Sequence, residues 1–563
     1  MTITETREET ETLVFLKDVP VPMSDGNVLR ANVFLPKAPG RYPVVLSHGI
    51  YGKDAHFRDA FAPQWAVLKR IYPGLDSDGS TGRFLRWETP DPERWVPHGY
   101  VIVSVDGRGS GKSPGYLDPF SARETVDHAE IIDWAGTQDW STGKVGLLGV
   151  SYFAIKQWQV AALRPKHLSA MIPWEGASDH YRDFARHGGI LANGFTAAWM
   201  PRQVLVNQHG NADTTLRDPD TGARTTGPAI AAEILAGNVA PIIEDLRRHP
   251  LDDAWYRERS PDLARVEVPV LSAGNWGGPG LHLRGNLEGF QRAGSRNKYL
   301  SMHIGTHYES FYLPPYVEMQ RHFFDRFLKG DAAAFDAPPV RLEIRRADGT
   351  ATVRHAREWP LPGTRWVDYQ LGADGTLAPE GPVAAGALSF AAMRETLSFL
   401  TAPFADETEF TGPLSVTLHA GSTSSDLDIF ATLHLIDAGG SEVRFIGAHE
   451  QVPVARGWLR ASQRRLDPEK SRPGRPWHSH ECSEPLTPGE ICELEVELWP
   501  TSVVCPAGSR LELRIAGRDQ EYEVPGRMRH DDDVDRPAHI FDATTRLVIS
   551  PQHRAFLRLP RIE

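Results

Sequence analysis

Cysteine is scarce in this sequence: Cys482, Cys492 and Cys505 are the three cysteines among 563 residues. An odd and sparse count excludes a disulfide framework and indicates a reducing compartment, so we expect a cytoplasmic protein. Cys492 shares one face of the alternating run ICELEVELW with apolar residues. That placement is typical of a small core side chain.

Long apolar runs and an excess of basic charge are also missing. No run of 18 apolar residues occurs, so we expect no transmembrane helix. The segment MTITETREETETL is polar and acidic and has no apolar core, which excludes a signal peptide and predicts a flexible tail over residues 1–12. The formal net charge of −12 argues against nucleic acid or an anionic membrane as a partner. The composition leaves open whether the chain forms a homo-oligomer.

What is present is an alternation of strand and helix patterns. The buried strand patterns YPVVLSHG, YVIVSVDG and GKVGLLGVS predict a mostly parallel, doubly wound α/β sheet within residues 13–330. Two long insertions, at residues 50–97 and 178–262, interrupt it, and we interpret both as cap elements, the second one helical, over the ligand crevice of the sheet. Short alternating strands then predict an all-β sandwich of jelly-roll type over residues 331–563.

A lone serine stands where the third of these strands meets a helix, in the stretch LLGVSYFAIKQW. A sharp strand-to-helix turn at this edge of a parallel sheet would expose the hydroxyl of Ser151 and direct helix N–H groups towards it. The G-x-S-x-G pattern is incomplete, because Phe153 replaces the second glycine. Ser151 is therefore either a nucleophile or the N-cap of the helix.

A serine nucleophile needs a general base, which in α/β hydrolases follows the last main strand. The stretch KYLSMHIGTHYESF supplies a strand, a turn and then His307, whereas His303 lies within the strand as an expected core or edge residue. Because the chain has 22 histidines, position rather than residue type favours His307. An oxyanion hole needs donors, for which the Tyr152 amide and either Tyr51 or a backbone amide near it are suitably placed. The alternative for Tyr51 is an aromatic contact in the cap.

Several motifs together resemble one family of serine hydrolases. They are IYGKD, VDGRGSGKSPG, DWSTGKVGLLGVSYFAIKQWQVAA, GTHYESF, SSDLDIFATL, GWLRASQR, PLTPGE and PAGSRLELRI. From about residue 13 to the end, the chain is similar to the X-prolyl dipeptidyl peptidase and cocaine esterase superfamily, which includes prolyl dipeptidyl peptidases, esterases and α-amino acid ester hydrolases. The resemblance implies an α/β-hydrolase core, a helical cap, a jelly roll and no cofactor. It also implies Ser151 as nucleophile, His307 as base, and the Tyr51 phenol with the Tyr152 amide as oxyanion hole.

The family's catalytic triad consists of the serine, the histidine and an acid. At the position of the acid, this sequence departs from the family pattern. The position of the family's aspartate falls on Gly277, and no carboxylate occurs from Val270 to Gly285. Ends of neighbouring strands lie ~5 Å apart, so a carboxylate on the preceding strand can also reach the histidine. We predict Glu175, at the end of the stretch MIPWEG, as the acid; its alternative is a solvated loop carboxylate. Asp179 and Glu288 are the other candidates for the acid.

Three further features have plainer interpretations. The stretch DGRGSGKSPG lacks the spacing of a phosphate-binding loop, so we expect a structural turn there. WHSHECSE and RHDDDVDRPAH lack the ligand spacing of a zinc site, which indicates solvated loops. The aromatic residues of the first insertion could line an acyl pocket or form the cap's own core: Phe57, Phe61, Trp65, Tyr72, Phe84 and Trp87.

These patterns predict an enzyme, a serine hydrolase that cleaves a small carboxylic ester or amide through an acyl-enzyme. An esterase is favoured over a peptidase, because the sequence identifies no site for a free substrate amine. The alternatives within enzymes are an X-prolyl dipeptidyl peptidase and an α-amino acid ester hydrolase. In another class, the sandwich would bind a ligand on a decayed hydrolase core, and the missing aspartate favours that alternative.

Overall fold

The computed structural model describes residues 3–448, 450–520, 528–530 and 535–563. Residues 531–534, which belong to the stretch RHDDDVDRPAH, lie outside these ranges, as do residues 1–2 of the predicted tail. Among the described residues, no helix is both long and apolar enough to cross a bilayer.

The N-terminal part of the described chain holds an α/β domain. Its strands are β1 (Thr6–Glu9), β2 (Val14–Pro22), β3 (Val28–Leu35), β4 (Tyr42–Gly49), β5 (Val101–Asp106), β6 (Ser141–Val150), β7 (Leu168–Trp174), β8 (Arg186–His187), β9 (Ile190–Leu191), β10 (Val270–Asn275) and β11 (Lys298–His303). Its α-helices are α1 (Phe57–Ala60), α2 (Ala62–Ile71), α3 (Pro92–Trp95), α4 (Ala122–Thr137), α5 (Tyr152–Ala161), α6 (Asn193–Trp199), α7 (Ala232–Gly237), α8 (Ile242–Arg248), α9 (Ala254–Arg259), α10 (Leu283–Arg292), α11 (Glu309–Tyr312) and α12 (Pro314–Phe324).

Short 3₁₀ and π-helical turns complete this domain. The 3₁₀ turns are Pro73–Asp76, Val96–His98, Leu205–Asn207 and Leu263–Arg265, and the π-helical turns are His180–Ala185, Met200–Val204 and Asp325–Lys329.

The C-terminal part is almost entirely strands. They are β12 (Val340–Arg346), β13 (Ala351–Ala356), β14 (Arg365–Leu371), β15 (Leu377–Ala378), β16 (Gly386–Ala391), β17 (Thr396–Leu400), β18 (Thr408–Ser422), β19 (Asp428–Ile436), β20 (Glu442–Val443), β21 (Phe445–Ile446), β22 (Gln451–Val452), β23 (Ala455–Arg460), β24 (Cys492–Cys505), β25 (Arg510–Ala516), β26 (Thr544–Ile549) and β27 (Phe556–Ile562). In the described residues of this part, two short helical turns accompany the strands, the 3₁₀ turn Ala461–Gln463 and α13 (Ala538–Phe541).

The α/β domain is built on one sheet with the strand order β1-β2-β3-β5-β4-β6-β7-β10-β11. Its pairs are parallel from β5 to β11, and α4, α5 and α10 pack against it. β5, β7 and β10 are almost fully buried, as continuous apolar strands of a helix-covered parallel sheet should be. The predicted doubly wound α/β sheet is confirmed.

The first strand differs from the expected flexible tail. Thr6–Glu9 pair antiparallel with β2, in a register that places Thr6 opposite Lys17. All four side chains of β1 are exposed, so the strand is held by backbone hydrogen bonds to an edge rather than by apolar burial. A polar sequence with no buried face gives no periodic signal, which is why the pattern predicted a tail.

The C-terminal part is the predicted β-sandwich. β18 pairs antiparallel with β24, β26 and β27, while β19 pairs with β20, β23 and β25. Buried side chains of these two groups of strands, among them Leu418 and Leu433, form one apolar core. β12 pairs antiparallel with β13 along one edge, and along its other edge it pairs in parallel first with β11 and then with β24, so the two domains share a continuous run of strands.

The glycine-rich turn after β5 carries a buried cluster of charges. The ammonium of Lys112 lies 2.7 Å from an Asp18 carboxylate oxygen and 2.9 Å from Asp54. Lys53 contacts the same two carboxylates, at 2.5 and 2.8 Å. Asp218, from the second insertion, lies 3.5 Å from Lys112. The lysine of this turn is therefore engaged in ion pairs that join the insertion to the sheet.

Candidate active site

Ser151 occupies a strained turn between β6 and α5. Its backbone has φ 57° and ψ −113°, a conformation that non-glycine residues rarely adopt and that costs about 1–3 kcal/mol. The backbone N–H of Ser151 donates to the Trp174 carbonyl, and its own carbonyl accepts from the amides of Ala154 and Ile155. The turn thus lifts the hydroxyl out of the strand and places it ahead of the helix, as a nucleophile requires.

The space around Phe153 explains how this turn forms without the second glycine of the motif. A Cβ on Gly49 would lie 2.6 Å from the Phe153 ring, and a Cβ on Gly149 would lie 2.5 Å from the Phe153 Cβ. Neither position has room for a side chain. Two glycines on neighbouring strand ends therefore make the space that the Phe153 side chain needs.

Glu175 follows β7 and is completely buried, at 0% exposure. Its Oε2 lies 2.7 Å from His307 Nδ1 and its Oε1 lies 2.9 Å from His303 Nε2. The side-chain amide of Asn275, the last residue of β10, donates to Oε1 at 3.3 Å. The predicted acid and the predicted base are thus in direct contact, at the edge of the sheet where Ser151 also lies.

The buried carboxylate and the histidine shift each other's protonation. Burial alone would raise the pKa of Glu175, but the charge and hydrogen bonds of His307 and His303 hold that pKa below its usual value. Burial alone would lower the pKa of His307, but Glu175 and the nearby Glu88 raise it to about 10. In this arrangement the ionised carboxylate of Glu175 and the charged form of His307 stabilise each other.

Glu88 is a site residue that the sequence did not reveal. It is 2% exposed, has φ 62°, and its Oε1 lies 3.1 Å from His307 Nε2. Its backbone is fixed on both sides, since its N–H donates to the Tyr312 hydroxyl and its carbonyl accepts from the amide of Val150, the residue before Ser151. Burial raises the pKa of Glu88 to about 7, against the lowering influence of His307.

His282 is the second residue that sequence reasoning missed. Its Nε2 lies 3.4 Å from the Ser151 Oγ, and its Nδ1 lies 3.3 Å from the Gly176 carbonyl oxygen. The His282 ring stacks on that of His307, with ring centroids 4.7 Å apart and planes 9° from parallel. The one signal in the sequence was its place in the loop after β10, where the resemblance leads us to expect the acid.

Of the two expected oxyanion donors, Tyr51 lines the same cavity as Ser151, and Tyr152 follows Ser151 in the chain. The Tyr51 hydroxyl accepts a hydrogen bond from the Trp199 indole N–H at 2.9 Å, which leaves its own proton available for donation. Burial raises the pKa of Tyr51 well above its usual range, and Glu88 raises it further, so the phenol stays protonated. Tyr152 begins α5, where the first amides have no acceptor within the helix. Its side chain is fixed by Glu124, at 2.7 Å.

The two other candidates for the acid are engaged elsewhere. Asp179 forms an ion pair with Arg182 at 2.9 Å and caps the following helical turn. Glu288 pairs with Arg475 of the sandwich domain, also at 2.9 Å. Glu175 is thus the carboxylate among the three predicted candidates whose contacts lead to His307.

A loop of the sandwich domain occupies the space that a side chain at position 277 would need. A Cβ on Gly277 would lie 2.5 Å from the Ile446 carbonyl oxygen and 2.7 Å from the Gly447 Cα. The Ala448 amide donates to the Gly277 carbonyl at 2.7 Å, and the Ala448 carbonyl accepts from the His307 amide at 3.2 Å. Position 277, at which the resemblance places the family's aspartate, is thus filled by a contact between the two domains.

We predict that Gly277→Ala lowers both stability and activity, because backbone atoms cannot move away as a flexible side chain could. The expected loss is about 1–3 kcal/mol of unfolding free energy, with a fall in kcat/KM as the loop that holds the His307 amide shifts. Thermal unfolding and ester hydrolysis measure both effects. Gly237→Ala is the matched control, since a Cβ there meets nothing within 4 Å. A variant at position 277 that behaves like this control would contradict the prediction.

A cavity of about 270 Å³ opens above Ser151. Both insertions and the sandwich domain contribute to its wall, through Gln64, Val67, Phe195, Gln203, Ile446 and Glu450. Trp87 lines the cavity and also stacks on Phe61, at a ring-centroid distance of 4.3 Å. Phe57 is fully buried against the same indole. The aromatic residues of the first insertion thus form mainly the cap's core, with Trp87 exposed to the cavity.

Comparison with known proteins agrees with this architecture. The model of X-Pro dipeptidyl-peptidase (S15 family) matches residues 25–309, and that of the X-Pro dipeptidyl-peptidase C-terminal non-catalytic domain matches residues 333–557. Cocaine esterase of Rhodococcus sp. is 27% identical over 393 residues, which cover 64% of this chain and 62% of that protein.

Solved structures extend the likeness over the whole chain. A CocE/NonD family hydrolase from Staphylococcus aureus is 32% identical, with a TM-score of 0.84 and coverage of 100% of this chain and 97% of that one. An aminopeptidase from a Thaumarchaeota archaeon shares the fold at 18% identity, with a TM-score of 0.70 and coverage of 99% and 96%. The resemblance first drawn from the motifs is confirmed: this chain belongs to the S15 family of X-Pro dipeptidyl-peptidases and is a serine hydrolase.

Proposed function

We propose that the protein is an esterase that cleaves small carboxylic esters, with Ser151 as its nucleophile. The observation that carries the proposal is the 2.7 Å contact between Glu175 and His307 at the sheet edge where the strained turn presents Ser151. His307 is the histidine of acid–base catalysis, and Glu175 fixes its orientation and stabilises its positive charge. The Tyr51 phenol and the Tyr152 amide stabilise the oxyanion of the tetrahedral intermediate.

The reaction follows from these positions. The Ser151 oxygen attacks the ester carbonyl, and charge develops on the carbonyl oxygen between the two donors. Collapse of the intermediate expels the alcohol and leaves an acyl-enzyme. Water then attacks the acyl group, and the acid leaves as Ser151 regains its proton. The turn at Ser151, whose backbone is already bonded to Trp174, needs no rearrangement before attack.

The charges lining the cavity favour a neutral ester over a substrate with a free amine. Two carboxylates, Glu88 and Glu450, reach the cavity wall. Glu88 is 3.1 Å from His307 and Glu450 is 2.6 Å from Arg456, so each negative charge is offset by a protein cation. A substrate ammonium would have to compete with His307 and Arg456 for these carboxylates. The similarity to cocaine esterase supports the same substrate class.

Hydrolysis of two chromogenic substrates tests the proposal. We expect kcat/KM for a p-nitrophenyl ester to exceed that for an Xaa-Pro p-nitroanilide by about 100-fold or more, because the described residues that line the cavity offer no unbalanced anion to the free amine. An equal or faster reaction with the dipeptide amide would favour a peptidase instead. Folded protein that neither hydrolyses esters nor reacts with a fluorophosphonate would favour a binding protein on a decayed core.

We also propose that the protein acts in the cytoplasm. Support comes from its cysteines: Cys482, Cys492 and Cys505 are all free thiols, and Cys505 is buried in the sandwich core. Burial raises the pKa of the Cys505 thiol, which keeps it protonated and unreactive. Fractionation of the producing cells tests this location, and recovery outside the cytoplasm would contradict it.

A further inference from the structure

His282 stands beside the nucleophile with a definite hydrogen-bonding arrangement. The residue is 1% exposed and precedes α10. The Gly176 carbonyl oxygen, 3.3 Å from Nδ1, can only accept a hydrogen bond, so Nδ1 carries a proton. In a neutral ring Nε2 is then an acceptor, and it lies 3.4 Å from the Ser151 hydroxyl oxygen. Such distances are often long before substrate binds and shorten in the complex.

His307 has the opposite arrangement. Its Nδ1 faces Glu175 at 2.7 Å, and its Nε2 faces Glu88 at 3.1 Å. Ionised carboxylates only accept hydrogen bonds, so a ring held between Glu175 and the ionised form of Glu88 donates from both nitrogens. The pKa of His307, raised to about 10 by these carboxylates against the effect of burial, agrees with an imidazolium. An imidazolium can give up a proton but cannot receive one from serine.

We propose that the two stacked histidines divide the proton transfers: His282 receives the proton of Ser151, and His307 delivers a proton to the leaving group. This inference rests on the proposed function and refines it, since it keeps Ser151 as the nucleophile and His307 as an acid–base group. It adds a catalytic residue whose Nε2 contacts the reacting oxygen. The two carboxylates beside His307 offset the positive charges that both rings carry during the reaction.

The transfers balance over one turnover. During acylation the bond from Oγ to the acyl carbon forms, and the hydroxyl proton moves to His282 Nε2. The bond to the leaving oxygen breaks as that oxygen takes the Nε2 proton of His307. During deacylation water bonds to the acyl carbon and gives a proton to His307, while the bond to Oγ breaks and His282 returns its proton to Ser151. One ester and one water give one acid and one alcohol.

Two substitutions and two substrates test this division. His282→Asn and His307→Asn each remove one imidazole, and His419→Asn in β18 is the matched control. The substrates are the p-nitrophenyl and ethyl esters of one acid, because nitrophenolate leaves without protonation and ethoxide does not. The readout is kcat/KM, which reports the acylation step.

We expect His282→Asn to lose about 10²–10⁴-fold with both esters, the usual contribution of a general base. We expect His307→Asn to lose a comparable factor with the ethyl ester but at most about tenfold with the p-nitrophenyl ester. Equal losses with both esters in His307→Asn, together with His282→Asn within about threefold of the unmodified protein, would overturn the inference. Failure of the proposed function is distinct, since the unmodified protein would then hydrolyse neither ester.

A measurement on the unmodified protein covers the case in which a variant does not fold. Nitrogen-15 NMR of the histidine rings at pH 7 should find His307 protonated at both nitrogens and His282 protonated at Nδ1 alone. Assignment uses whichever His→Asn variant folds, or an inhibitor-induced shift at Ser151. A neutral His307 ring, or His282 protonated at Nε2 alone, would overturn the inference.

Discussion

Ser151→Ala is expected to lower the kcat for ester hydrolysis by roughly 10⁴-fold or more, because the substitution removes the hydroxyl that we propose forms the acyl-enzyme. The turn that carries residue 151 should survive the change, since its backbone hydrogen bonds to Trp174, Ala154 and Ile155 do not involve the hydroxyl. The thermal midpoint should therefore stay close to that of the unmodified protein. The same variant should lose all reaction with a fluorophosphonate, which mass spectrometry detects as an absent adduct.

Ser301→Ala provides the matched control for this loss. Ser301 is a buried serine in β11, and its substitution removes a hydroxyl from the same sheet without touching the cavity. The control should keep its rate and its labelling. If Ser151→Ala retained labelling, or hydrolysed the ester within tenfold of the unmodified protein, the nucleophile would lie elsewhere.

Glu175→Gln is expected to lower kcat by about 10³–10⁴-fold, the size of effect seen when a triad carboxylate becomes an amide. The amide keeps the shape of the side chain but carries no charge to hold the His307 ring. Because the Glu175 carboxylate raises the pKa of His307, its removal should move that pKa downwards. The pH dependence of kcat/KM measures this shift, as the limb that reports His307 should move to lower pH.

Glu288→Gln is the control that separates charge loss from catalysis. Glu288 is a buried glutamate paired with Arg475, and it was a rival candidate for the acid. Its substitution should leave the rate within about twofold. A Glu175→Gln variant that stayed within the same twofold would remove Glu175 from the site.

The order of the elements was enough to predict the sheet, the turn at Ser151 and the loop of His307. Each depends on local patterns, a buried strand followed by a helix or a turn, which the sequence displays directly. Glu175 could be predicted with one further argument, namely that neighbouring ends of parallel strands lie side by side. The roles of these residues remain predictions that the variants above test.

Glu88 and His282 could not be predicted, because their positions depend on distant parts of the chain. Glu88 is placed by backbone bonds to Val150 and by the hydroxyl of Tyr312. The space at Gly277 is filled by a loop of the sandwich domain, far along the sequence. Contacts between residues so far apart produce no periodic pattern in the sequence. His282 is one of 22 histidines, so its residue type alone does not single it out.

Three residues of the site, Glu88, Ser151 and Glu175, share a backbone conformation that glycine adopts far more easily. Their φ angles are 62°, 57° and 48°, and they are three of seven such non-glycine residues in the described part of the chain. Each position costs about 1–3 kcal/mol of folding free energy. Selection for thermostability alone would therefore favour glycine at these three positions and erase the reactive side chains. The hydrolase therefore keeps these three side chains although glycine would make the fold more stable. Substitutions meant to raise its thermal stability should be made at positions away from this sheet edge.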